Sequence, residues 1–424
     1  MSPWPIVTLD DVKAPGPGSI TDGPFGSNLK SSHYVEDGPQ VVRLQNIGDG
    51  VYVDSPAHIT WEHFENLRKH EVVSGDLVVA SLGEALPRAC LMPAHVGPAI
   101  VKADCIRVRL SDSVDPRWVL YALQRPEARQ WAEGLLHGLG RPRLGLKNIR
   151  AIPIPLPDLP EQRRIVEVLE DHLSRLDAGI RNAQLAGRRL SSLRQAWRQA
   201  VLDAVRANDV SLADLVDRVE AGKSFGGSAP SAGPDEWGII KVSAMTWGEF
   251  RPEENKRIPA EKADPRYEVK AGDLLVSRAN TAAYVGASVL VRETRPRLLL
   301  SDKSLRLVPK AGVSAAWLHE VLQSPRSRRQ ISGIATGTKD SMRNISQKAL
   351  LSIKVPGIVS DQQSEVVASF SRAAESISAL ESSLEHTVRR SAWLRRALLT
   401  AAFSGRLTAT TFDVDREELM EVMA

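Results

Sequence analysis

Between Pro160 and Pro230 the chain contains no proline, and apolar or small residues recur there at Val166, Leu169, Leu173, Leu176, Ile180, Ala183, Leu190, Trp197 and Val201. The spacing alternates between three and four, the seam of a coiled coil, and Gly187 and Arg194 interrupt it. Adding 201 to these positions lands on Val367, Phe370, Ala374, Ile377, Leu384, Val388, Leu398 and Ala402, with Glu381, Ser391 and Arg395 as breaks. Two unrelated surface helices would share no phase. The pattern predicts two long helices, each about 68 Å at 1.5 Å per residue. Each exposes an apolar stripe that needs a partner, and the economical partner is the other helix, in an antiparallel pair. Leu169, Leu173, Leu176 and Ile180 are expected to face Val367, Phe370, Ala374, Ile377 and Leu384.

The helices are one half of a larger repeat. Val73-Ser74-Gly75-Asp76-Leu77-Val78-Val79 returns as Lys270-Ala271-Gly272-Asp273-Leu274-Leu275-Val276, and Val41-Val42-Arg43-Leu44 as Ile239-Ile240-Lys241-Val242. Asn148-Ile149 returns as Asn344-Ile345, and Leu193-Arg194-Gln195-Ala196 as Leu394-Arg395-Arg396-Ala397. The order is kept and the offset stays near two hundred residues, so the chain is a tandem duplication. Short β-branched runs such as Val41–Leu44, Leu77–Ala80, Cys105–Leu110 and Ile239–Val242 alternate with helical stretches such as Pro116–Leu136 and Ala315–Ile331. The expected fold class is α+β: two mixed α/β domains, residues 1–157 and 209–357, joined by helical spacers at 158–208 and 358–408, with a tail at 409–424. Because a globular part lies between the helices, an antiparallel pair predicts a dumbbell with pseudo-twofold symmetry.

Composition adds little beyond class. Of 424 residues, 42% are hydrophobic and 25% charged, as in ordinary globular proteins. There is no uninterrupted apolar run of eighteen, which argues against a membrane-spanning helix, and the first residues lack the basic start and apolar stretch of a secretory signal. Two cysteines, Cys90 and Cys105, cannot staple such a chain, so a cytoplasmic location is expected. Net charge is +4, which fits many proteins that never touch nucleic acid. Of 55 basic residues 40 are arginine, whose planar fork suits phosphates and guanine edges; codon bias would give the same excess.

Familiar catalytic motifs fail on inspection. Ala221-Gly222-Lys223-Ser224 resembles the end of a P-loop, but Asp217 stands where the first glycine should be. No methyl-donor loop follows a strand, and no Asn-Pro-Pro-aromatic run is present. Asp235, Glu268 and Lys270 could be assembled into a nuclease-like set, but Val73 occupies the place of Lys270 in the first copy. His58, His63 and His70 put no pair on one helical face for a metal and read as structural histidines. Catalytic residues and metal ligands are both expected to be none.

What remains is a basic, glycine-rich loop at the same place in each copy. His137 through Asn148 sets Arg141, Arg143 and Lys147 among three glycines, and Thr336 through Asn344 carries Lys339 and Arg343. Glycine lets backbone amides approach phosphate and the cations neutralise it; recurrence favours DNA contact over an ordinary surface loop. Arg43 with Lys241 forms another matched basic pair, and Arg278 follows the second Gly-Asp-Leu word.

The ordered motifs resemble a known family, the specificity (S) subunits of type I restriction-modification systems. They are Asp22-Gly23-Pro24-Phe25-Gly26-Ser27, Val42-Arg43-Leu44-Gln45-Asn46-Ile47, Gly75-Asp76-Leu77-Val78, and Ile152 through Pro157 leading into Glu161-Gln162-Arg163-Arg164-Ile165. In the second copy Gly272 through Arg278, Val355-Pro356, and Leu394 through Leu407 match more loosely. The resemblance implies two target recognition domains, each reading half of a bipartite DNA sequence, held apart by the helices. It implies a non-catalytic chain on which two methyltransferase (M) subunits dock, joined by restriction (R) subunits where the system cleaves. S-adenosylmethionine, ATP and Mg would then belong to those partners, with no cofactor in this chain. Asp361-Gln362-Gln363-Ser364-Glu365 departs from Glu161-Gln162-Arg163-Arg164-Ile165, which leaves the second domain–helix junction open. The other readings are a self-sufficient nuclease or methyltransferase with duplicated DNA-binding domains, and a scaffold that binds only proteins.

Overall fold

The computed structural model describes residues 2–137, 142–205, 207–227, 229–246, 248–339 and 342–407. Contacts divide the chain into two units: residues up to 183 with those from 386 on, and residues 184–385. The long helices Leu159–Ala204 and Ser360–Phe403 each contribute one part to either unit, so the units cut through the helical spacers rather than ending beside them.

In the first unit the uninterrupted apolar run Leu77–Ala80 is buried along its whole length, as a strand covered on both faces must be. It lies in an antiparallel sheet of order Ile20–Thr21, Cys105–Val108, Leu77–Ala80, Arg88–Leu91. A second sheet, His58–Ile59, Tyr34–Val42, Ala99–Val101, Glu71–Val72, contains one parallel pair, Tyr34–Val42 with Ala99–Val101. The proline-rich end, Pro153–Pro155, pairs only with Ile6–Thr8. Proline has no amide to donate, so a two-stranded edge is what such a segment can build.

The second unit repeats this plan. Val216–Ala221, Ser304–Pro309, Leu274–Ser277 and Ser288–Leu290 follow the same strand order, and Gly238–Ile240 runs parallel to Leu298–Leu299. Asp209–Ser211 pairs with Lys354–Pro356 as Ile6–Thr8 does with Pro153–Pro155. The Gly-Asp word has the same structural task in both: Gly75 (φ +87°) and Gly272 (φ +93°) make a left-handed turn that a side chain would strain. Asp76 then accepts from Val73 N at 3.0 Å and from Arg109, and Asp273 from Lys270 N at 2.8 Å and from Arg306.

Each expected helix after the sheet is two helices. Pro116–Gln124 stops before Pro126–Glu133, and Ala315–Leu322 before Pro325–Ile334. The proline ring excludes the preceding residue from helical geometry, and Arg125 (ψ 145°) and Ser324 (ψ 148°) are accordingly extended. The first helix of each pair buries a tryptophan completely, Trp118 and Trp317. Trp118 Nε1 donates to Pro155 O at 2.8 Å, whereas Trp317 Nε1 has no partner among the described residues.

The two long helices run antiparallel, but the facing residues differ from expectation. Leu169 and Leu173 share a core with Leu399, Ala402 and Phe403, with Leu176 packed at its margin. Val367 and Phe370 instead join Leu202, Trp197 and Val201, and Leu384 approaches Gly187. An antiparallel pair must set the start of one helix against the end of the other, so equal heptad positions counted from each start cannot meet. Ile180 and Ile377 are half-buried, and Ala373 rather than Ala374 faces inward.

The open question at the second junction is resolved by a one-residue shift. Buried Gln162 donates to Pro157 O at 2.9 Å and accepts from Asp115 N at 2.9 Å. Buried Gln363 does the same with Ile358 O and Ser314 N, both at 2.8 Å. Gln363, not Gln362, is the structural equivalent.

Candidate nucleic-acid interface

A strand end with exposed backbone must be satisfied by the loops that cross it. In the first unit Ser81, just past the central strand, donates its amide to Asp104 O at 2.9 Å and accepts from Leu144 N at 2.8 Å. In the second, Arg278 N donates to Lys303 O at 2.8 Å and Arg278 O accepts from Ile345 N at 3.0 Å. Each basic glycine loop is thereby laced to the residue after the central strand and to the turn before the next one. The same chemistry occurs in both units, at places far apart in sequence.

A third element joins this face. Gly23 packs so closely on the 101–102 backbone that a Cβ would lie 2.3 Å from Lys102 O, and a Cβ on Gly222 would lie 1.8 Å from Leu300 O. Only glycine fits at either place. The two glycines open equivalent turns, Gly23-Pro24-Phe25-Gly26 and Gly222-Lys223-Ser224-Phe225-Gly226. Gly222-Lys223-Ser224 is therefore a turn of the repeat and no phosphate loop of the P-loop kind. The sequence signal was present, a Phe-Gly following Gly in both copies, but one extra residue in the second hides the alignment.

In the first unit the turn is tied to the basic loop by charge. Asp22 accepts from Asp104 N at 3.0 Å, and Arg143 forms an ion pair with Asp104. Burial pushes the Asp22 carboxyl above its usual range, partly offset by the Gly23 amide and by Arg143. In the second unit Lys303 stands where Asp104 does, and Lys223, Arg278 and Lys303 are all exposed.

The sequence-derived candidates separate accordingly. Arg143, Lys147, Lys241 and Arg278 are exposed and Arg343 is half-buried. Arg43 is held in structure: its Nη2 donates to Ser55 O at 2.9 Å and its amide to Asn46 Oδ1 at 2.9 Å. Arg141 lies outside the described residues, as does the side chain of Lys339, although its backbone is in the strand Thr336–Lys339. Asp235, Glu268 and Lys270 do not assemble a metal site. Asp235 and Glu268 both contact Arg297, and Lys270 donates its backbone amide to the Asp273 carboxylate. Among the described residues no group of three or more His, Cys, Asp or Glu is placed to hold a metal ion. His58, His63 and His70 each bond a backbone carbonyl, Gly38 O, Asn28 O and Asp22 O respectively. Among the described residues no helix is long and apolar enough to cross a membrane.

Residues 64–185 match the family model described as type I restriction modification DNA specificity domain. The chain is 35% identical over 147 residues to the type I restriction enzyme EcoEI specificity subunit of Escherichia coli, which covers 34% of this chain and 25% of that protein. It is 23% identical over 276 residues to the EcoKI specificity subunit of Escherichia coli K12, covering 61% and 58%. The matched spans thus take in a quarter to about three fifths of these relatives. Among solved structures, a chain from work on complex assembly and conformational transition of the type I R-M system superposes with a TM-score of 0.71 at 19% identity, covering 96% of this chain and 99% of that one. The HsdS subunit from Thermoanaerobacter tengcongensis gives 0.52 at 20% identity, covering 95% and 97%. These two likenesses establish the fold, and residues 64–185 are similar to the DNA specificity domain of type I restriction-modification systems.

Proposed function

We propose that this chain is the sequence-specific DNA-binding subunit of a type I restriction-modification complex, in which each unit reads one half of a bipartite target. The observation that carries this reading is the duplicated face. The same three loops meet at the end of the central strand in both units, bearing Arg143 in one and Arg278 with Lys303 in the other. Phosphate contacts from such loops position a protein on duplex DNA, and side chains beside them reach base edges. The chain supplies recognition and docks two methyltransferase subunits, together with restriction subunits where the system cleaves. S-adenosylmethionine, ATP and Mg belong to those partners. Cys90 and Cys105 are free, buried thiols, which supports a reducing cytoplasm.

The test is an exchange of residues 209–357 for those of a relative, followed by mapping of methylated bases in a host that also carries the partner subunits. One half-site should change and the other stay. A change in both half-sites, or a continuous target, would overturn the modular reading. Turnover by the pure chain would favour the self-sufficient enzyme.

A further inference from the structure

The second unit carries a concave feature beside the glycine turn of the loop face. A cleft of about 400 Å³ opens between the turn at Ser224–Gly227 and the strand Asn255–Arg257. Ser224, Phe225, Gly226 and Gly227 form one wall, with Lys256 and Lys262 on the other. Lys256 Nζ donates to Phe225 O and, at 3.3 Å, to Gly227 O, so its ammonium is fixed at the turn. Lys262 is exposed on the short helical turn Ala260–Lys262. Arg257 also lines the cleft but shares its charge with Glu236 at 3.0 Å.

We propose that this cleft binds a phosphate group of the DNA backbone. The reading rests on the assignment of the chain as a DNA-binding subunit and extends the loop face from its glycine turn to the strand and short helical turn beside it. Two glycines remove side-chain bulk where an anion would approach backbone, the Ser224 hydroxyl can donate, and two lysines supply charge without the planar fork that reads bases. Such a site adds affinity and register and carries no sequence information. The first unit has the equivalent turn but not the equivalent cations. Its Asn28 O is held by His63 Nε2 at 2.9 Å.

The experiment measures duplex binding by the full chain across a salt series, with wild type, Lys262→Gln and Lys262→Arg. Lys262 is exposed, so neither change should disturb folding. Lys262→Gln should lower the slope of log affinity against log salt by about one, equally on target and unrelated duplexes, and Lys262→Arg should restore it. Half-site preference should be unchanged. A slope equal to wild type, with sequence preference intact, overturns the cleft and leaves the specificity-subunit reading standing. Loss of preference for one half-site instead makes Lys262 a base reader and also overturns it. Inorganic phosphate at matched ionic strength that displaces duplex as well as excess duplex does would assign the cleft to free anion. If wild type binds no duplex, both readings fail together.

Discussion

Arg194 and Glu381, two of the residues that interrupt the apolar seams of the long helices, meet each other at 2.8 Å. Arg395, at the position equivalent to Arg194, finds Asp177 at 3.1 Å. The charged interruptions are therefore in cross-helix ion pairs, set at defined heights along an otherwise slippery stripe. Polar residues at seam positions specify register at some loss of stability.

That arrangement makes a double-substitution prediction. Arg194→Leu alone leaves Glu381 facing an apolar neighbour and should destabilise by about 1 kcal/mol, since both groups are about a third exposed and screened. Arg194→Leu with Glu381→Leu should recover that loss or exceed wild-type stability. Denaturant midpoints of the three variants decide the matter, and additive losses in the double variant would show that the pair is not coupled.

The unequal tryptophans give a second test. Trp118→Phe removes a buried hydrogen bond to Pro155 O and leaves that carbonyl unpaired, whereas Trp317→Phe removes an unpaired indole N–H. Both lose volume from a filled core. Trp118→Phe should be the more destabilising by about 1 kcal/mol. Equal melting shifts would contradict the difference between the copies.

A pH dependence should arise at His319. Burial, with Arg198 and Arg292 nearby, pushes its imidazole down from 6.5 to about 4. Nε2 accepts from the Gln323 amide at 2.9 Å and Nδ1 lies 3.3 Å from Ser288 Oγ, an arrangement suited to the neutral ring. Between these values the unfolded chain binds the proton and the folded chain does not. The contribution is complete above about pH 6.5 and is lost as pH falls toward about 4. His319→Gln should flatten the unfolding profile across that window; a profile as steep as wild type would place the sensitivity elsewhere.

Among the basic residues, Arg278 and Arg43 should behave oppositely. Arg278→Ala should weaken DNA binding by about 1–3 kcal/mol while leaving the melting temperature unchanged, because the side chain is exposed. Arg43→Ala should lower the melting temperature, since its guanidinium ties the 43–46 turn to Ser55. Duplex titration alongside thermal unfolding separates them, and a pure affinity loss at Arg43 would return it to the interface.

What the sequence could settle by itself was periodic and local. The seam from Val166 to Val201 and its copy from Val367 to Ala402 are read from spacing alone, because a helix closes its hydrogen bonds within four residues. The duplication is legible for the same reason, since it compares short words with short words. Proline at 126 and 325 carried the break in each helix pair, although reading Pro116–Leu136 and Ala315–Ile331 as single stretches passed over it. Tertiary structure decided what lies opposite what. Arg194 finds Glu381 only once two helices run antiparallel, and Gly23 and Gly222 become equivalent only when each packs on a strand nearly eighty residues away. Likewise the link from Asp22 through Asp104 to Arg143 exists only after the sheet has closed. Such contacts depend on chain closure across many residues, and a local pattern contains no record of that closure.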